Sequence, residues 1–280
     1  MIGEFTLILF FSFALGLFVG SFLNVVILRF GTGLPISTGR SKCFSCSATL
    51  KWHELMPVFS FLFLKGKCRA CHSKISYQYF LVELITGLIF ASLTYLYSIG
   101  FIQNFLLLMA YILIGCILLS ITVYDLRHKI IPDTFVFIFI TLSFLVGLYR
   151  FFDTEQLSLI FRIINLGAGP ILFLPFYGLW KYSEGRWIGL GDGKLVVGIG
   201  FLLNLAEGIS AVVIAFWIGA LWAILYLSFQ KITHGFSLWQ GRTPITMKSE
   251  IPFAPFLIIS TILVFLYPID LFSLHLLLGI

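Results

Sequence analysis

The chain has 280 residues, of which 60% are hydrophobic, 18% are aromatic and only 11% are charged. A soluble domain carries about twice that charged fraction, so these proportions exclude an ordinary water-soluble protein. Several apolar runs reach the roughly 20 residues that are needed to cross a hydrocarbon core about 30 Å thick. The sequence therefore predicts an all-α polytopic membrane protein that contacts lipid and does not bind nucleic acid.

The first apolar run covers residues 5–28. Glu4 is the only charge before it and no small-residue cleavage site follows, so it differs from a signal peptide. We therefore expect residues 1–28 to form a retained spanning helix. Gly16 and Gly20 have the spacing of a close helix contact, and we expect their partner helix to lie within the same chain.

The only long hydrophilic stretch follows this run, at residues 29–79. Eight of the 18 Lys and Arg residues fall between Arg29 and Lys74. Basic residues concentrate in the cytoplasmic loops of membrane proteins, so this distribution predicts a cytoplasmic loop and an N-terminus on the outer side.

Four cysteines in this loop form two Cys-x-x-Cys pairs, and we interpret them as a structural zinc site. Two such pairs can supply four thiolates to one tetrahedral ion, which leaves no open position for catalysis. Disulfides are disfavoured in a reducing cytoplasm, and a redox site would need only one pair. We expect His53 and His72 to be surplus and Cys116, which lies in a span, to be a core residue. The predicted ligands are Cys43, Cys46, Cys68 and Cys71.

Seven further apolar runs follow the loop. Dropping the short sixth span would move Lys231, Arg242 and Lys248 to the outer side, against the charge rule. We therefore predict eight spans with both termini outside. Beyond the run at 5–28, they lie near residues 80–98, 105–123, 131–150, 158–180, 188–206, 209–230 and 251–270.

Two aspartates lie at membrane depth on the predicted cytoplasmic side. Asp125 ends the third span and Asp192 begins the sixth, so the two can meet. Acidic groups at this depth are functional candidates, and two carboxylates brought close in a site of low dielectric cannot both ionise readily. One can then act as a base while the other donates a proton, as aspartic proteases require. We expect Gly189 and Gly191 to let a substrate strand approach Asp192.

Simpler interpretations of both aspartates stay open from the residues alone. Asp125 could pair with Arg127 or Lys129 as an ordinary charge beside the membrane. Asp192 could cap its helix or pair with Lys194.

Several motifs occur in one order along nearly the whole chain, and with them the sequence resembles type IV prepilin peptidases. The Gly-x-Gly-Asp motif alone would be a weak signal, but the ordered set is highly specific. The set comprises Gly20-Ser-Phe-Leu-Asn-Val-Val-Ile27, the paired cysteines, Leu81-Val-Glu-Leu84, Asp125 before Ile131-Pro-Asp133, Gly189-Leu-Gly-Asp192, and Ile251-Pro-Phe-Ala-Pro-Phe-Leu257.

This resemblance implies a bifunctional enzyme of the bacterial inner membrane, with Asp125 and Asp192 as the catalytic pair. It implies that prepilins or pseudopilins are cut at the cytoplasmic face, after a glycine that ends a short basic leader. It also implies N-methylation of the new N-terminus with S-adenosylmethionine, in the loop at residues 29–79. Residues 80–280 would then form the membrane-embedded peptidase core.

Three departures from the usual family pattern stand away from the aspartates. They are Gln78-Tyr-Phe80 where Arg-Tyr-Pro is usual, Glu54-Leu55 where Glu-Asn is common, and Pro252-Phe-Ala-Pro255 in place of Pro-Phe-Gly-Pro. Two of them lie in or beside the loop, so they bear on the methyltransferase activity. Glu54 and Glu83 are the candidates to contact the cofactor or the substrate amine, although a solvated carboxylate and an acid near a helix start are equally compatible with them.

Two other classes of membrane protein compete with this interpretation. A transporter with a zinc-stabilised loop could use intramembrane acids as ion sites, but no pair of broken spans recurs in two halves of the sequence. A zinc metalloprotease is excluded, because the sequence has no His-Glu-x-x-His motif and the predicted metal site is closed.

Overall fold

A computed structural model describes residues 2–36, 39–153, 158–232 and 252–273. Ten α-helices and one 3₁₀ turn, Trp52–Leu55, make up the regular structure of these residues. Two isolated antiparallel bridges, Lys42 to Thr49 and Lys67 to Lys74, are their only β pairing. The helices are α1 Ile2–Arg29, α2 Phe59–Phe63, α3 Tyr77–Ser98, α4 Phe105–His128, α5 Asp133–Asp153, α6 Leu159–Leu166, α7 Ala168–Ser183, α8 Leu190–Leu203, α9 Leu205–Ile232 and α10 Ala254–Leu266.

The predicted all-α membrane fold is confirmed. Within the described ranges, five helices are long and apolar enough to span a membrane, namely α1, α3, α4, α5 and α9. A sixth span results if α6 and α7, which meet at a 44° bend, are taken together. Helices α8 and α10 have only 14 and 13 residues. Each of the eight predicted runs thus contains a helix or a helix pair, but the number of eight spans stays a prediction.

The chain forms two compact units, Met1–Ser120 and Ile121–Ile280. In the first unit, α1 packs tightly on α3 because Gly16 and Gly20 lack side chains. A Cβ on Gly16 would lie 2.8 Å from the Cα of Gly87, and one on Gly20 would lie 2.7 Å from the Cα of Glu83. Helices that approach this closely gain dispersion contacts along their backbones. The helix partner of these two glycines is therefore α3 of the same chain, as we expected.

In the second unit, α8 packs against α5, α7, α9 and α10. Glycines make this possible, because a Cβ on Gly200 would lie 2.7 Å from the backbone of Ala168 in α7. Gly198 has no room for a side chain either, since the ring of Phe139 from α5 fills that space. Helix α8 is short and rich in glycine, so its position in the middle of the unit depends on packing against the neighbouring helices.

Part of the predicted topology lies outside the described residues. Arg242, Lys248 and the C-terminus fall there, and so does Ile251, the first residue of the last motif.

Candidate active site

Asp125 lies near the end of α4, where the helix stops abruptly. Lys129 has the left-handed backbone angle φ of 55°, and its N–H donates to the Asp125 carbonyl at 2.7 Å. The chain then runs through Ile131 and Pro132 into α5. Only 4% of Asp125 is exposed, so its carboxyl group is held inside the second unit.

Asp192 lies in the first turn of α8, where backbone N–H groups have no partner within the helix. A Cβ on Gly191 would lie 3.1 Å from the Cβ of Ile131, so the link between α4 and α5 rests on this glycine. A Cβ on Gly189 would instead face the Asp192 carboxylate, 3.4 Å from Oδ2. The room beside Gly191 is thus taken by Ile131, whereas space for a peptide beside Gly189 stays a prediction.

The two aspartates face a common region of the second unit. The charge of Asp125 acts on Asp192, so the carboxyl groups lie within electrostatic reach of each other. The backbone N–H of Ala254, at the start of α10, acts on the Asp125 carboxyl, and that of Gly189 acts on the Asp192 carboxyl. Helix starts favour nearby negative charge. Oδ2 of Asp125 is buried and has no hydrogen-bond partner among the described residues, so it is available to a further group.

The ion pairs of the described residues argue against the interpretations in which a basic residue pairs with either aspartate. Lys194, the basic neighbour of Asp192, instead binds Asp133 at the start of α5, with 2.7 Å between Nζ and Oδ1. Neither Asp125 nor Asp192 has an ion pair in the described part of the chain. The two carboxylates therefore lie within electrostatic reach of each other, and neither is paired with a cation among the described residues. The contact of the Asp192 carboxyl with the N–H of Gly189 agrees with the other simple interpretation, a helix cap.

In the first unit, the four loop cysteines converge on one point. Their sulfur atoms all lie within 4.8 Å of one another, and Sγ of Cys43 and Sγ of Cys71 are 3.8 Å apart. Zinc–sulfur bonds of about 2.3 Å in a tetrahedron place the sulfurs about 3.8 Å apart, so this cluster has the dimensions of a Cys₄ zinc site.

Both Cys-x-x-Cys turns have the same backbone design. In the first, Cys43 N–H donates to Ala48 O at 2.9 Å and Ser47 N–H to Cys43 O at 2.9 Å. In the second, Cys68 and His72 repeat these bonds at the same 2.9 Å distances. Ser47 and His72 hold corresponding positions with φ of 58° and 57°. The repeat means that each turn presents its two sulfurs in the same way.

Local hydrogen bonds favour the thiolate form at two of these cysteines. The backbone N–H groups of Cys46 and Ser45 donate to Cys43 and lower the pKa of its thiol to about 6. The Ser73 side chain similarly lowers the pKa of Cys71. Because zinc binds thiolate and not thiol, these donors suit the site to a metal.

The histidines near this cluster have other roles. His53 Nε2 forms a hydrogen bond of 2.9 Å with Arg69 Nη1, and His72 occupies the left-handed position of the second turn. Cys116 is buried in α4, outside the cluster. The expectation that both histidines are surplus and that Cys116 is a core residue agrees with these contacts.

Both candidate cofactor residues already accept a backbone hydrogen bond. Glu54 Oε2 accepts the N–H of Lys51 at 2.7 Å and so caps the 3₁₀ turn. Glu83 is buried in α3, and its Oε2 accepts the N–H of Val58 at 2.7 Å. Each carboxylate therefore holds part of the loop, and its contact with a cofactor stays a prediction.

Sequence reasoning did not identify Ala254 or Ser73 as parts of these sites. Ala254 lies inside the last motif, so the motif was noted while the contact of its N–H with Asp125 was not. Ser73 follows Cys71 by two residues, and its hydroxyl oxygen accepts a hydrogen bond from Sγ of Cys71 at 3.1 Å. Hydroxyl residues next to metal-binding cysteines are the signal that could have revealed it.

Comparisons with known proteins agree with this arrangement of parts. A family model described as the bacterial peptidase A24 N-terminal domain matches residues 14–97, and one described as the type IV leader peptidase family matches residues 112–224. No solved structure matches the chain.

Three similar relatives each carry the name prepilin leader peptidase/N-methyltransferase. The protein of Bacillus subtilis is 30% identical, over 94% of this chain and 96% of its own length. That of Vibrio cholerae is 28% identical, over 94% and 97%. That of Myxococcus xanthus is 35% identical over 78% of this chain, which spans 62% of that relative.

Proposed function

Because the chain belongs to the type IV leader peptidase family, we propose that it is a membrane aspartic endopeptidase that removes the leader of prepilins or pseudopilins. The observation that carries this proposal is the approach of Asp125 and Asp192 within one unit, without a cation partner. A purely structural role gives no reason for two uncompensated carboxylates at this place, and the family match favours the peptidase over a transporter. The names of the relatives support the same substrate class.

The two aspartates cleave the peptide bond by general acid–base catalysis. The ionised carboxylate takes a proton from water as the water oxygen bonds to the carbonyl carbon, and the protonated partner donates to the developing oxyanion. The tetrahedral intermediate then collapses and the carbon–nitrogen bond breaks. The carboxyl that took the proton from water gives it to the leaving amine, and its partner takes back a proton from the hydroxyl of the intermediate, which restores the pair. Because two interacting carboxyls titrate as a pair, neither role belongs to one aspartate alone.

We place this reaction at the cytoplasmic face of the bacterial inner membrane. The density of basic residues between Arg29 and Lys74 puts the long loop in the cytoplasm, and the span count puts Asp125 and Asp192 on the same side. The substrate is then cut at the cytoplasmic end of its hydrophobic segment, after a glycine that ends a short basic leader. Residues 80–280 form the peptidase core in this scheme.

Zinc has a structural role in this proposal. Cys43, Cys46, Cys68 and Cys71 fit four-coordinate Zn²⁺, which would hold the two turns of the loop together. A closed site of four thiolates supplies no water or Lewis acid to a reaction, so the metal orders the loop at residues 29–79 and takes no part in cleavage.

N-methylation of the new N-terminus is the second proposed activity, with S-adenosylmethionine as the methyl donor. Its support is the name of the relatives. Glu54 and Glu83 remain the candidate contacts, and both already accept a backbone N–H of the loop.

Mass spectrometry of a substrate's N-terminus tests the proposal. A purified prepilin from the same genome is incubated with the full chain in lipid nanodiscs, with and without S-adenosylmethionine. We expect the leader to be lost in both samples and one methyl group to be gained only with the cofactor. An intact precursor under both conditions would contradict the peptidase and would favour the transporter alternative.

A further inference from the structure

The short α2 helix and its flanks contain an apolar run that neither proposed activity explains. Residues 57–64 read Pro-Val-Phe-Ser-Phe-Leu-Phe-Leu, in a loop that is otherwise hydrophilic. Phe59, Leu62 and Phe63 are exposed by 52%, 58% and 83%. Residues spaced i, i+3 and i+4 share one face of a helix, so these three side chains form a single apolar face, which we call the α2 face.

The opposite side of α2 is fixed to the spanning helix α3. The ring of Phe61 lies 5.4 Å from that of Tyr77 and 5.5 Å from that of Phe80, between ring centroids. Just before α2, the N–H of Val58 donates to Glu83 of α3. Two residues of the segment, Val58 and Phe61, are therefore anchored on α3, and these contacts set the orientation of the α2 face.

These anchors also set the depth of the segment. From Tyr77 to Glu83, α3 rises by about 9 Å, so α2 lies beside the first two turns of that helix. Helix α3 has 22 residues, a length of about 33 Å, which only just exceeds a hydrocarbon core of about 30 Å. Its first two turns are therefore needed at the boundary between headgroups and acyl chains, and α2 lies at that boundary with them.

The charge around the segment fits an anionic lipid surface. Between Arg29 and Lys74 the chain has eight Lys and Arg residues and one acidic residue, Glu54. Lys65 and Lys67, which directly follow α2, are both exposed. Long basic side chains beside an inserted apolar face can reach the headgroup phosphates and are attracted to an anionic surface.

We propose that the α2 face inserts into the lipid leaflet at the headgroup boundary, and that Lys65 and Lys67 bind anionic lipid headgroups there. The loop is then tied to the membrane surface at its middle as well as at its two ends. Interfacial helices of this kind bury their apolar face about 5–10 Å into the boundary region.

Tryptophan depth measurements test this proposal on the full chain in nanodiscs that hold one copy each. Phe63→Trp places a reporter on the α2 face, and Phe44→Trp is the matched control, because Phe44 lies in the first cysteine turn and is also 83% exposed. The emission of the wild type, which has six tryptophans, is subtracted. Unchanged zinc content would show that both variants fold.

We expect lipids brominated near the headgroup to quench most of the emission added by Phe63→Trp, and acrylamide to quench most of that added by Phe44→Trp. Quenching of the Phe63→Trp signal by acrylamide alone would overturn the proposal, since the face would then be in water. Protection from both quenchers would also overturn it, because protein would then cover the face.

Two brominated lipids in the same nanodiscs test the headgroup preference. Brominated phosphatidylglycerol should quench the Phe63→Trp signal more than brominated phosphatidylcholine at equal amounts. Replacing Lys65 and Lys67 by Gln should remove this difference. Equal quenching by both lipids in the Phe63→Trp variant that keeps Lys65 and Lys67 would contradict binding of anionic headgroups.

Discussion

The hydrogen bond from Val58 to Glu83 ties the middle of the loop to α3, together with the ring contacts of Phe61 with Tyr77 and Phe80. Val58 has a left-handed φ of 62°, a conformation that a β-branched residue adopts only when its surroundings hold it. The hydrogen bond to the buried Glu83 carboxylate stabilises this conformation of Val58, and the Ser21 side chain also contacts that carboxylate. Glu83 is therefore first of all a residue that positions the loop.

Substitution of Glu83 can separate this structural role from a role of its charge. Glu83→Gln keeps an oxygen that accepts the Val58 N–H, whereas Glu83→Leu leaves that N–H unpaired at a cost of about 1–3 kcal/mol. We expect the Gln variant to retain zinc against a chelator as the wild type does and the Leu variant to lose it faster. If Gln were as damaging as Leu, the charge itself would be required, as a cofactor contact would demand.

Single residues also show what the sequence could not predict. The predicted order of the spans brings Asp125 and Asp192 to one side, and in the structure both lie in the second unit, within electrostatic reach of each other. The partner of Lys194 was not predictable, since it depends on how α5 and α8 are rotated about their axes. The contact of Ala254 with Asp125 depends on the packing of α10 in the same way.

At the scale of elements, close packing of α7 on α8 holds Asp192 in place. Gly169 and Gly178 both lie on α7 and form a matched pair. A Cβ on Gly169 would lie 2.7 Å from the carbonyl oxygen of Val197 in α8, whereas a Cβ on Gly178 would have nothing within 4 Å. Only the first position is therefore needed for the contact between the helices.

Alanine substitutions at Gly169 and at Gly178 should have different effects on the stability of the protein. We expect Gly169→Ala to destabilise the protein by about 1–3 kcal/mol through overpacking, and to slow cleavage because α8 shifts. Gly178→Ala should be neutral or stabilising by up to about 1 kcal/mol, because alanine favours the helix. Thermal unfolding in detergent measures both. Equal melting temperatures for the two variants would contradict the packing described here.

The two cysteine turns are the other element with a definite prediction. Replacing Cys43 and Cys68 by Ser removes one ligand from each turn, so the purified double variant should contain no zinc by elemental analysis. Cys116→Ser is the control and should retain the metal, because Cys116 lies outside the cluster. Full zinc content in the double variant would refute the Cys₄ site.

At the scale of the whole molecule, the membrane class followed from composition, but the number of spans did not. Hydropathy cannot distinguish a straight helix from one bent by 44° at Gly167, or a full span from the 14 residues of α8. The glycines of α8 shorten the apolar run that hydropathy detects, but they also let the neighbouring helices pack closely. Hydropathy therefore argues against a span at a place where packing favours a helix.

The orientation of the first spans gives a prediction for the whole molecule. Reporter fusions after Lys74 should be active as cytoplasmic reporters, and fusions after Gly100 should be active only as periplasmic ones, because α3 crosses the membrane between them. A cytoplasmic signal from both positions would contradict the spanning role of α3. A periplasmic signal after Lys74 would invert the proposed topology.

One measurement tests the central claim most directly, namely mass spectrometry of a prepilin N-terminus after incubation with Asp125→Asn, Asp192→Asn and Asp133→Asn variants. Asp133 is the matched control, because it lies beside the site but binds Lys194 and is not part of the pair. We predict that each of the first two substitutions slows leader removal at least about 100-fold, as expected for the loss of a general acid or base, and that Asp133→Asn still cleaves. Near-normal cleavage by either the Asp125→Asn or the Asp192→Asn variant would contradict the account.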